Sequence, residues 1–564
     1  MFTQDLNPVG DSLTLSALCA TVPLITLFVL LGGLRMKAWM AGLISLVVAL
    51  AIAIVLFKMP VDQALLSGTE GAAFGFFPIL WIVINAIWVY NLTVASGHFD
   101  VLRRSFEKVS PDQRIQAIII AFCFGALLEA LAGFGTPVAI SVVMLMALGF
   151  KPIKAAVVAL IANTAPVAFG ALATPIVTLA SVTSGASDAP GLTVENLGAM
   201  VGRQTPVLAV IVPLILVYVV DGTRGVRQTW LPAIVSGVAF GAAQFVAANY
   251  ISVQLADIIA ALVSALSVVL LVRVWKPADV LLSDSSESRV PASAGGTAGV
   301  GDSGAAVSDG PVRDTGAEVA RAYAPYIVII VIFSITSITA VKEFLSQEPF
   351  AFAFKWPGLD VSSTSGTVLS STTYTFNWLA SAGTLMILAG LITMVILKLS
   401  PAQAFKTYLG TYVELKSAII TVMAVLALAY VMNQSGQTVS LGAWLAQTGG
   451  AFVILSPILG WIGVAVTGSD TSANALFGAL QVQTATKAGL DPVLMAAANT
   501  SGGVLGKMVS PQNLAIAAAA VGMAGQEGDI FRKVLGWSLG LLVLMCALVA
   551  LQSTGVLGWM IPTP

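Results

Sequence analysis

Ten stretches of about twenty mostly apolar residues dominate this chain: 14–34, 38–57, 72–95, 205–220, 229–249, 254–272, 323–343, 379–397, 410–432 and 534–553. A helix of that length crosses the hydrocarbon layer of a bilayer. Only 9% of the 564 residues are charged, against about 25% in a soluble domain. The chain is therefore predicted to be an all-α polytopic membrane protein with the lipid bilayer as its solvent. Its formal charge of −1 provides no basic field for nucleic acid. His98 is the single histidine, so paired-histidine metal sites, zinc peptidases included, are excluded. No convincing nucleophile–base set points to an enzyme. Cys19, Cys123 and Cys546 lie in apolar runs and read as small hydrophobes rather than ligands or a disulfide framework. No Lys or Arg precedes Arg35, so a cleaved signal peptide is not expected and the first run stays as a helix.

Two further apolar regions, 115–182 and 452–523, are interrupted by polar and glycine clusters. Basic residues favour the cytoplasmic side. Arg35 and Lys37, Arg103 to Arg114, Arg224 and Arg227, Arg273 and Lys276, Lys398 and Lys406, and Arg532 and Lys533 all fall on one side if both termini lie outside. This holds if each interrupted region makes an odd number of crossings. One re-entrant hairpin plus one crossing in each gives about twelve spans and two hairpins; fourteen ordinary spans is the alternative. Residues 277–322 are rich in Ser, Gly, Ala and Asp and read as a disordered cytoplasmic linker. The external loop 344–378 is richer in aromatic residues and is expected to be partly ordered.

The interrupted regions repeat one another. "NTAPVAFGALATPI" (163–176) and "NTSGGVLGKMVSPQ" (499–512) both read N-T-x5-G-x3-[S/T]-P. The pattern pairs Asn163 with Asn499, Thr164 with Thr500, Gly170 with Gly506, Thr174 with Ser510 and Pro175 with Pro511. "GFGTP" (133–137) precedes Asn163 by 30 residues, and "GSDTS" (468–472) precedes Asn499 by 31. The expected organisation is two inverted-topology repeats. The first is 1–228, with hairpin 115–150 and broken helix 152–182, and 229–276 is a connecting helix pair. The second is 323–564, with hairpin 452–487 and broken helix 492–523. Small residues in such segments often serve close packing alone. The duplicated spacing favours a site, because non-helical backbone at membrane depth is tolerated only where protein or a water-filled cavity satisfies it. Half-helix ends of this kind form carrier sites, and their positive ends favour a carboxylate. Gly133, Gly135 and Gly468 are the expected hairpin-tip residues, and Gly170, Pro175, Gly506 and Pro511 the expected helix-break residues.

Ionisable groups at membrane depth are functional candidates. Glu129 lies one turn before Gly133, Asp470 within the second tip, and Lys507 in the second break. The competing structural reading is an ion pair such as Asp470 with Lys507. The functional reading makes Glu129 or Asp470 a proton carrier. His98 and the pair Glu414 and Lys416 read as boundary residues, and Arg203 as an outer-edge arginine whose charge reaches headgroups.

The runs "PDQRIQAIIIAFCFGALLEALAGFGTPVAI" (111–140), "GFKPIKAAVVALIANTAPVAFGALATPI" (149–176), "MVGRQTP" (200–206), "GWIGVAVTGSDTSANALFGALQ" (460–481) and "AANTSGGVLGKMVSPQNLAIAAAAVG" (497–522) closely resemble the bacterial L-lactate permease family. The likeness extends over nearly the whole chain and weakens in 277–322 and 344–378. It implies an inner-membrane carrier importing lactate, and often glycolate, by proton symport, with no cofactor beyond the coupling ion. A sodium-coupled carrier and a passive channel are the rivals, and the sequence sets no oligomeric state. On the repeat argument, Asn163, Thr164 and Thr174 are expected to hold the substrate from one side and Asn499, Thr500 and Ser510 from the other. Lys507 is then the partner of its carboxylate.

Overall fold

The computed structural model describes residues 2–133, 135–187, 189–281 and 314–563. Among them ten helices are long and apolar enough to cross a membrane, or eleven if the bent pair Pro152–Ala162 and Val167–Thr183 counts as one. The chain begins with α1 (Leu13–Gly33), α2 (Ala38–Val55), α3 (Val61–Ala95, kinked at Phe77) and the short α4 (His98–Glu107). A helical hairpin follows, α5 (Gln113–Ala132) and α6 (Thr136–Ala147), then the bent segment α7 (Pro152–Ala162) and α8 (Gly170–Thr183). Next come α9 (Val194–Ile251, interrupted at Asp221 and Gly222) and α10 (Ala256–Val274).

The second half follows. It runs through α11 (Gly316–Thr336), the short α12 (Thr339–Leu345), α13 (Ala382–Ile396), α14 (Pro401–Gln434) and the short α15 (Gln437–Leu445). The hairpin is α16 (Phe452–Thr467) and α17 (Asp470–Ala488), and the interrupted segment is α18 (Pro492–Gly506) and α19 (Pro511–Ala520). The last long helix is α20 (Glu527–Gln552). Helix starts follow local chemistry: Asp491 and Ser510 each cap a helix whose next residue is proline, a residue that suits a first turn because it has no N–H to satisfy there.

Packing between the halves is reciprocal. The C-terminal part of α3 packs on α13 while α14 packs on α2; α4 packs on α11 while α15 packs on α1. Likewise α6 meets α19 while α17 meets α8. The hairpin arm α5 is wholly enclosed by protein, whereas two thirds of α1 is not. Large apolar side chains such as Leu15, Ile25, Val47, Val331 and Val543 form an exposed belt on the outer helices.

The linker expectation needs trimming. Residues 282–313 lie outside the described set, but Thr315 caps α11 with a capping box to Glu318, so helix replaces linker from Gly316 onward. Asp314 is bonded to Arg104 at 2.5 Å, and that guanidinium holds its carboxyl down at about 2. At the near end of the linker, Asp279 accepts from Gln228 at 2.9 Å. On the opposite face, β2 (Phe352–Lys355) pairs antiparallel with β4 (Thr373–Phe376), and β1 (Phe2–Thr3) pairs in parallel with β3 (Val361–Ser362). The aromatic loop 344–378 therefore carries ordered strands.

Candidate functional site

Glu129 is the centre of the buried polar geometry. It lies on α5 one turn before the hairpin turn, and its Oε1 accepts from Lys507 Nζ at 2.5 Å. Its Oε2 accepts from Asn163 Nδ2 at 2.9 Å, and Lys507 Nζ also donates to the Gly133 carbonyl at 3.2 Å. Space for the carboxylate comes from two missing side chains: a Cβ on Gly170 or Gly133 would lie 2.9 or 3.0 Å from Oε1. The ion pair joins the first half to the second, and both side chains are buried. Removing one member of such a pair strands the other charge at a cost of about 3–5 kcal/mol. The Asp470–Lys507 pair considered from sequence is absent, because Lys507 is committed to Glu129.

Asp470 stands alone. It begins α17, is buried, and neither carboxylate oxygen has a hydrogen-bond partner. It packs against the Cα of Gly503, where a Cβ would overlap its Oδ1. Gly503 is one turn before Lys507, so Asp470 and Lys507 meet the same face of α18.

Asn499 and Thr500 require a correction. They sit within the continuous helix α18, about two turns or 12 Å before the interruption, rather than at it. There they build a separate network. Asn499 Nδ2 and Thr500 Oγ1 both donate to Asn474 Oδ1, at 2.8 and 3.0 Å, and Gln481 donates to Asn499 Oδ1 at 3.0 Å. Asn474 in turn donates to the Pro175 carbonyl at 3.0 Å, which ties this network to the other half.

The remaining hydroxyls close their own turns. Thr164 donates to the Ile161 carbonyl, Thr174 to that of Ala171, and Ser510 to that of Lys507 while it caps α19. Gly135 and Gly468 take left-handed φ values of +86° and +75°, which glycine adopts without strain. Both turns rest on α19, Gly135 against Ile516 and Gly468 against Gln512. Gly506 faces the Trp461 carbonyl across the α16–α18 contact and serves packing. Pro511 is the exposed first residue of α19.

Two buried acids escaped the sequence reading. Asp257 on α10 accepts from Gln244 at 2.9 Å, and Gln244 also bonds the Ala165 carbonyl in the first break. Glu70 on α3 accepts from Gln434 of the second half at 2.7 Å. Each keeps one oxygen without a partner. An acid inside an apolar run was the available signal, and the same rule found Glu129. Arg203 also differs from expectation: its Nε donates to Asn249 Oδ1 at 2.9 Å and its Nη1 to the Met560 carbonyl at 2.7 Å, so it is fixed by protein rather than reaching for headgroups. Among the described residues no group of three His, Cys, Asp or Glu is placed to hold a metal ion.

Apolar helices around a core of interrupted segments and buried charge define a multi-pass membrane protein. The comparisons narrow the class. The family model for L-lactate permease matches residues 16–555, and the chain belongs to that family. It is 41% identical to the L-lactate permease of Bacillus subtilis (strain 168) and 40% to that of Escherichia coli (strain K12), with 100% of each chain covered in both cases. It is 42% identical to the glycolate permease GlcA of Escherichia coli (strain K12), covering 95% of both. Among solved structures it matches Neisseria gonorrhoeae MtrF, described as one of a class of antimetabolite efflux pumps, with a TM-score of 0.45 and 14% identity over 87% of this chain and 84% of that one.

Proposed function

We propose that this protein imports L-lactate, and glycolate, across the bacterial inner membrane by proton symport. The relatives named for lactate and glycolate support the substrate class. The observation that carries the coupling is the buried Glu129–Lys507 pair. Lactate presents one carboxylate, and among the described residues Lys507 is the one buried cation beside the breaks. In this reading the incoming carboxylate replaces Glu129 on Lys507, and Glu129, released without a counter-ion, takes up a proton. Asn163 steadies the released carboxyl. One anion and one proton cross together, so uptake follows the pH gradient and responds little to membrane potential.

The same reading takes the two halves as inverted repeats with twelve spans, two re-entrant hairpins and both termini outside. Reciprocal packing and the enclosed arm α5 support it. Exposure then alternates as the hairpin-bearing core shifts against the outer helices. In proteoliposomes, Glu129→Gln is expected to abolish pH-driven accumulation while retaining lactate counterflow. Full pH-driven accumulation by this variant would overturn the assignment.

A sodium-coupled reading is favoured by one observation, the two unpartnered oxygens of Asp470 beside the Gly468 turn. A lone buried carboxylate costs several kcal/mol, so Asp470 needs a proton or a cation. Uptake at fixed pH with and without sodium separates the two.

A further inference from the structure

A cavity of about 600 Å³ opens on the face opposite the basic clusters, walled by both halves. That volume is in the range of small-molecule sites. Three charged residues line it: Glu195, Arg203 and Lys342. Glu195 and Lys342 neutralise one another at 2.5 Å across the join between α9 and α12. Among the described residues no acid pairs with Arg203. Its two bonds go to neutral oxygens of Asn249 and Met560, and Nη2 has no partner among the described residues. Asn249 is itself held by the Ala199 and Phe245 carbonyls, at 3.4 and 3.0 Å, so the guanidinium is braced in place with no counter-ion among the described residues. Val177 is part of the same lining, two residues beyond Pro175. The cavity therefore reaches the helix that resumes after the first break.

We propose that this cavity is a capture site for small monocarboxylates, in which Arg203 holds the carboxylate before it passes to the Glu129–Lys507 pair. A rigid guanidinium with a free edge suits a carboxylate better than a mobile ammonium. The mixed Asn, Ser and Thr lining can meet a 2-hydroxyl. A positive charge in a concave site also raises the local concentration of anions, an effect that salt weakens. This inference rests on the transport reading, and the test separates them, because loss of uptake by the parent protein would refute transport itself.

The experiment is the concentration dependence of L-lactate uptake into proteoliposomes, at low ionic strength and at physiological salt. Arg203→Gln is expected to raise the half-saturating concentration about tenfold, the scale of one charge-assisted hydrogen bond, with the maximal rate within about twofold. Arg203→Lys should fall between this variant and the parent. Glu195→Gln frees Lys342 and is expected to lower the half-saturating concentration, most at low salt. Glu195 is exposed, so this second variant does not depend on refolding around Arg203. Movement of both glutamine variants in the same direction, or a fall in maximal rate alone, would overturn the proposal. So would an Arg203→Gln effect that vanishes in liposomes lacking anionic lipid, since Arg203 would then be holding a headgroup phosphate.

Discussion

The segments 163–175 and 499–511 share one sequence pattern and take two different paths. In the first, helix stops at Ala162, a turn and a 3-10 step carry the chain to Phe169, and Ala171, Leu172 and Ala173 take left-handed φ of +44° to +58°. In the second, helix continues to Gly506, and the interruption is one 3-10 turn at Lys507–Val509 closed by the Ser510 cap. Pro166 stands where the second copy has Gly502. Proline cannot donate to the carbonyl four residues back and its ring clashes there, so the first helix ends early. Gly502 lets α18 run on against the Pro457 carbonyl. Left-handed turns of L-residues cost roughly 1–2 kcal/mol per residue and persist only where surrounding packing holds them; Ala171 to Ala173 are all buried. The difference also separates the charges. Ala171 occupies the position of Lys507, and Val464 that of Glu129. Each copy therefore contributes one member of a pair that neither could form alone.

The strongest way to break this comparison is to remove the contribution of the second copy. Lys507→Met is expected to lower uptake at least about a hundredfold and to destabilise the protein by roughly 3 kcal/mol, because Glu129 is stranded. Adding Glu129→Gln should restore the melting temperature and leave transport absent; a double variant as unstable as the single one would refute the pairing. Next in size is a matched pair of substitutions. Gly170→Ala places a Cβ against Glu129 Oε1 and should cut uptake tenfold or more with little change in stability. Gly506→Ala, its counterpart, meets the Trp461 carbonyl instead and should cost about 1–3 kcal/mol of stability. If the two effects came out exchanged, the assignment of one break to chemistry and the other to packing would be reversed. Pro166→Ala restores a donor to α7 and is expected to slow uptake severalfold, as read by initial rates. The smallest effect lies at the basic face. The carboxyl of Asp314 is held at about 2, below its ordinary 3.8, so its stabilising bond is fully present above the ordinary value and lost as pH falls through about 2. Asp314→Asn should therefore lower the melting temperature slightly and equally from pH 5 to 8, with the gap to the parent closing only in strong acid.

Hydropathy located most of the long helices, because length and apolarity are one-dimensional properties of the chain, but 205–220 and 229–249 fall in one interrupted helix and 379–397 in a shorter one. The two polar clusters were equally legible, since a duplicated spacing stands out in so apolar a sequence. What could not be read was which charge meets which. Lys507 lies 37 residues from Asp470 and 378 from Glu129, and the nearer partner in sequence was the wrong one. The pattern also concealed that Asn499 stays helical where Asn163 does not, because the decisive residue, Pro166, falls at a position the pattern leaves open. Asp257 lies inside the apolar stretch 254–272, where an acid needs as much explanation as Glu129.

The ten-residue helix α19 bears the turns of both hairpins, one against Ile516 and the other against Gln512. A single short rod pressed from two sides cannot yield to one without altering its fit to the other. In the coupled transport proposed above, such an interlock would keep a gradient from leaking: when one door swings, the same rod bolts its opposite.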